Sequence, residues 1–71
     1  MSQTSKYSNQ DLDKVITAIK VAIEAQKAPA TLSMMALGET LADIIKHNFK
    51  AEQHQSIAAQ FSKALQDSIK E

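Results

Sequence analysis

The 71-residue chain has no cysteine, no tryptophan and no arginine, and it holds one glycine, one proline, one tyrosine and two phenylalanines. Each scarcity removes a class of protein. Without cysteine there is no disulfide framework and no thiolate chemistry, and the composition fits a reducing compartment. Without arginine the chain lacks the planar fork that best matches phosphates and guanine edges. A single glycine leaves no glycine-rich phosphate loop. Eight lysines offset eight acids, so no counterion-release drive pulls the chain onto nucleic acid. No apolar run approaches the ~18–20 residues of a membrane span. The opening residues, Met1 to Lys6, lack the apolar core of a secretory leader. A soluble cytoplasmic protein with no membrane association is the expectation.

Length sets a second bound. A chain this short is one domain at most. Its expected apolar burial is about 4,000 Å², worth on the order of 100 kcal/mol. The ordering cost, ~1.5 kcal/mol per residue, is about the same. The isolated chain therefore sits near zero net stability, and close helix packing or a second copy must supply the margin.

What is present is helical throughout. Strand periodicity is missing, and strong helix formers fill the chain. The polar residues 1–7 read as a flexible N-terminal arm, and 8–71 as a single helical dimerisation domain. A first helix is predicted over about 8–27. Ser8-Asn9-Gln10-Asp11 opens it as a capping box, with Tyr7 placed to staple against Leu12. Leu12, Val15, Ile16, Ile19 and Ile23 then form one apolar stripe. Pro29 ends this helix by disfavouring α geometry at Ala28.

A second helix is predicted over about 31–48, with Thr31 as its N-cap. Its apolar positions sweep about 180° of the wheel, against the ~100° that one core contact requires. Leu37, Gly38, Leu41, Ala42, Ile44 and Ile45 are the expected core and dimer interface, at the centre of a homodimer. Gly38 costs about 1 kcal/mol relative to alanine in mid-helix. With Ala42 it makes a small ledge where another helix can approach closely. Met34 and Met35 could form an adaptable binding surface, although plain core is the favoured reading. A third helix is predicted over about 51–69, with Ile57, Ala58, Phe61, Ala64, Leu65 and Ile69 on its apolar face.

Few side chains suggest chemistry. Asp43 and His47 share a face at i, i+4, and with His54 they supply zinc-compatible ligand types. The spacing matches no metal motif, so no metal site is assigned; the two histidines read as helix-end residues. His54 projects between Phe61 and Leu65, which makes it a possible pH-responsive position, since imidazole titrates near neutrality. No Ser/His/Asp or Cys/His arrangement occurs. Nothing in the sequence marks a catalytic residue or a cofactor site, so the chain reads as a non-enzyme.

Several segments together resemble a known family. They are Ser5-Lys6-Tyr7-Ser8, then Lys27-Ala28-Pro29-Ala30-Thr31-Leu32-Ser33-Met34-Met35-Ala36-Leu37-Gly38, then Phe61-Ser62-Lys63-Ala64-Leu65-Gln66-Asp67-Ser68-Ile69. In order and spacing they are similar to the YejL-like family of small uncharacterised bacterial proteins. The chain departs from that pattern at Thr31, Glu39 and His54, where Asp, Asn and Arg are favoured. The resemblance implies an all-α fold and an intertwined homodimer, and it implies no activity. The expected function is a non-enzymatic homodimeric helical module that binds an unidentified protein. The alternative is a small nucleic-acid-associated dimer using Lys6, Lys14, Lys20 and Lys27, which zero net charge disfavours.

Overall fold

A computed structural model of the chain, describing residues 7–70, contains α1 (Asn9–Ala25), α2 (Ala30–Asn48) and α3 (Ala51–Ile69). No strand occurs among the described residues. Of the arm assigned to residues 1–7, only Tyr7 lies within them. The chain divides into two compact units, residues 1–33 and residues 34–71.

In the first unit, α1 begins as its sequence dictates. Ser8 adopts an extended backbone, its Oγ accepts from Asp11 N–H at 3.0 Å, and Asp11 Oδ2 accepts from Ser8 N–H at 3.2 Å. Two otherwise orphaned amides are satisfied reciprocally. The end of α1 departs from expectation. The helix stops at Ala25 rather than Lys27, and Lys27 takes a left-handed φ of 53°. Lys27 N–H donates to Glu24 O at 3.0 Å and Ala28 N–H donates to Ile23 O at 3.2 Å. This is the Schellman pattern, which satisfies the last carbonyls and usually places glycine where Lys27 stands. The physical cause is Pro29, which bars α geometry at Ala28, so the chain must turn before it.

Pro29 also explains why α2 starts at Ala30 and not after a Thr31 cap. The Pro29 carbonyl accepts the first main-chain bond of the helix, from Ser33 N–H at 2.9 Å. Thr31 therefore lies inside the first turn. Ser33 Oγ donates back to Ala28 O at 3.4 Å. Ile23, Ala28 and Ser33, clustered about this joint, are the half-buried residues of the unit.

The second unit holds the rest of α2 and all of α3, joined through Phe49 and Lys50. Several bonds finish the C-terminal end of α2. His47 Nδ1 donates to Asp43 O at 2.7 Å, Asn48 Nδ2 to Ile44 O at 2.8 Å, and Phe49 N–H to Ile45 O at 3.3 Å. Lys46 and His47 in the last turn suit the negative helix end. α3 starts at Ala51, as predicted. Its N-cap, Lys50, has an ammonium group without a lone pair and so cannot accept; Gln53 Oε1 instead accepts from Lys50 N–H at 3.3 Å. Near the far end, Asp67 carries ion pairs to Lys63 and Lys70 at 3.4 and 3.8 Å. These side chains are well exposed, and such pairs add little stability.

Candidate interaction surface

Burial in the second unit is concentrated at the joint. Ile45 is buried, Leu41 is half-buried, and His54, Ile57 and Ala58 are the half-buried residues of α3. These positions project onto one face of each helix, so α2 and α3 cover one another there. Farther along the same faces the cover is lost by degrees. On α2, exposure rises from 8% at Ile45 to 44% at Leu37 and 70% at Met34. On α3 it rises from 46% at Phe61 to 51% at Leu65 and 70% at Ile69. Apolar exposure on both faces thus grows with distance from the joint.

Of the residues expected to form the core, Ile45 and Leu41 are covered within the chain. Leu37, Gly38, Ala42 and Ile44 are exposed. Gly38 in particular has no structural explanation within its unit, because a Cβ built there meets nothing within 4 Å among the described residues. Within its own unit, no helix makes the close approach that this glycine would serve. Met34 and Met35 are both exposed, against the favoured reading of them as core and compatible with the alternative of a binding surface.

On α1, taken by itself, the stripe found in the sequence is also open. Leu12, Val15, Ile16 and Ile19 are exposed, and Tyr7, Asp11, Leu12 and Val15 line a shallow depression with an apolar surface. Tyr7 and Leu12 thus share a surface, as a hydrophobic staple requires. The lysines of α1 do not form a stripe. Lys14 and Lys20 project roughly 120° apart, and Asp13 and Glu24 lie beside Lys20 on the wheel.

The residues weighed for chemistry serve the backbone. His54 Nε2 reaches back to Phe49 O at 2.8 Å, across the joint. A carbonyl can only accept, so this ring nitrogen carries hydrogen, and by the same reasoning so does Nδ1 of His47. His54 therefore clips the start of α3 to the end of α2, a role that its position on the wheel did not reveal. Its sequence signal is the five-residue step from the carbonyl to the ring, spanning the joint. Asp43, His47 and His54 are not gathered into a metal-binding group. No cluster of three or more His, Asp or Glu able to hold a metal occurs among the described residues. The hydroxyls of Thr40 and Ser68 donate to carbonyls of their own helices, Thr40 to Ala36 O at 2.8 Å and Ser68 to Ala64 O at 3.0 Å. No helix is long and apolar enough to cross a membrane among the described residues.

Residues 26–69 match a family model described as "Protein of unknown function (DUF1414)". Over 70 residues the chain is 37% identical to a UPF0352 protein of Shewanella woodyi, covering 99% of each chain. It is 36% identical to UPF0352 proteins of Shewanella halifaxensis and Shewanella piezotolerans, again over 99% of this chain and 97% of theirs. No solved structure matches the chain.

Proposed function

The chain belongs to the UPF0352 family of small uncharacterised bacterial proteins, and from that premise we propose that it is a non-enzymatic homodimeric module whose role is to bind another protein in the cytoplasm. One observation carries the reading: fifteen large apolar side chains stand exposed while Ile45 is the one buried apolar residue among those described. Scattered apolar residues on a surface are ordinary, whereas contiguous stripes on successive helices mark a surface made to be covered.

The non-enzymatic part of the reading is supported by the polar groups. Both imidazoles hold main-chain carbonyls, and the depression on α1 is lined by apolar surface and opens to solvent.

Sedimentation equilibrium over the micromolar range tests the dimer. The expected result is a species of twice 7.8 kDa, with a melting temperature that rises with protein concentration. A folded, monodisperse 7.8 kDa species at low micromolar concentration overturns it. The protein-binding role is tested by using the intact assembly to capture partners from native cytosol. A salt-sensitive shift of duplex DNA with no captured protein would favour the nucleic-acid alternative instead.

A further inference from the structure

We infer that Met34 and Met35 form a site of reversible oxidation, where hydrogen peroxide converts exposed thioethers to sulfoxides and so makes part of the apolar arc of α2 polar. The site goes beyond the homodimer and the protein-binding role proposed above, and it depends on neither.

Three observations point to it. The first is the choice of sulfur. The chain has no cysteine and no tryptophan, and its sulfur atoms are the thioethers of three methionines. No thiolate competes for the oxidant, so peroxide meeting this protein reacts at methionine. Met1 lies outside the described residues, which leaves the adjacent pair on α2. The second observation is access. Met34 is 70% exposed and Met35 63%. One turn beyond Met34 stands Gly38, which has no side chain to shield it, and nothing lies within 4 Å of where a Cβ would be. The third is position. On the helical wheel Met34 falls between Leu41 and Ile45, in the middle of the apolar arc, whereas Met35 falls at its edge beside Lys46. Oxidation replaces an apolar, adaptable side chain by a polar, chiral one. At Met34 it sets a hydrogen-bond acceptor among aliphatic neighbours; at Met35 it only widens the polar face.

The step is a two-electron oxygen transfer. The sulfur lone pair attacks one peroxide oxygen, the O–O bond breaks and an S–O bond forms. The departing hydroxide takes the proton of the transferred oxygen and leaves as water, so sulfur is oxidised and peroxide reduced. The reverse step is the work of methionine sulfoxide reductases, one for each sulfoxide epimer. There two thiols become a disulfide and the oxygen leaves as water.

Peroxide treatment of the purified chain, followed by peptide mass mapping and by retention on a phenyl support, tests the site and its consequence. Met34 and Met35 should each gain one oxygen, at rates within about tenfold of those in concentrated urea, where no fold shields them. The oxidised protein should leave the phenyl support earlier, with its far-ultraviolet dichroism unchanged, and the two reductases together should restore its retention. Leucine replaces methionine at little cost. Met34→Leu should therefore keep its retention through the same treatment, while Met35→Leu loses it as the parent does. Stronger protection of either sulfur would overturn the site and leave the homodimer standing. Unchanged retention after oxidation, an equal loss in Met34→Leu, or a fall in dichroism would overturn the assigned consequence. A protein that oxidises and elutes as expected but sediments as a monomer would remove the homodimer and keep the site.

Discussion

Replacing Lys27 with glycine should stabilise the protein, and the size of the gain follows from one dihedral angle. Lys27 closes α1 with a φ of 53°, where a Cβ crowds the following carbonyl at a cost of about 1–2 kcal/mol. Glycine has no such clash. Its larger freedom in the unfolded chain takes back roughly 0.5–1 kcal/mol. The two bonds of the turn, Lys27 N–H to Glu24 O and Ala28 N–H to Ile23 O, belong to the main chain and survive the change. The net effect is a stabilisation of about 0.5–1 kcal/mol. In urea, with a slope of ~1 kcal/mol/M for a protein this small, the midpoint should rise by about 0.5–1 M at unchanged slope. Parent and variant must be compared at one protein concentration, because assembly moves the midpoint by mass action. Lys27→Ala retains the Cβ and should give no comparable rise. A glycine variant with a midpoint equal to or below the parent's would refute the account of strain at this turn.

Two further perturbations address the ends of α1 and α3. Ser8→Ala removes the acceptor of Asp11 N–H and unpairs the capping box, which should cost about 1 kcal/mol in a thermal or urea melt; an unchanged midpoint would mean the box forms without stabilising α1. His54→Ala frees the Phe49 carbonyl and should cost roughly 0.5–1.5 kcal/mol. Faster amide exchange should accompany it at Phe49 through Gln53, and exchange confined to other segments would argue against a clip at the joint.

Much of the helical layout could be read from residues whose effect is local. Ser8 and Asp11 mark the start of α1 because a capping box needs only those two side chains and their spacing. α3 occupies the predicted span, since its apolar positions recur regularly and Asn48 to Lys50 interrupt them. The end of α1 was misplaced because the usual sign of a left-handed cap is glycine, and here lysine accepts that geometry under the constraint of Pro29. Thr31 looked like a cap for the same reason. Its side chain is suitable, but the Pro29 carbonyl had already begun the helix. The surface was harder to read. A helical wheel identifies Leu37, Leu41, Ile44 and Ile45 as apolar without showing which are covered by their own chain. Burial at Ile45 and exposure at Leu37 depend on the three-dimensional path of the chain rather than on residue type. His54 breaks the apolar pattern in the sequence, yet its bond to Phe49 O depends on how the joint folds back.

The single tyrosine has an optical consequence. Tyr7 sits immediately before the cap of α1, and the chain has no tryptophan to mask its emission. Steady-state phenol fluorescence therefore reports one end of one helix, while far-ultraviolet dichroism sums the amides of all three. Following denaturation by both signals reveals, without any label, whether the first turn of α1 is released together with the remaining helices or ahead of them. Coincident curves would mean that the capped end of α1 shares in the cooperative transition. An earlier change in emission would make that end a separate unit of low stability, loosened while the other helices are still formed.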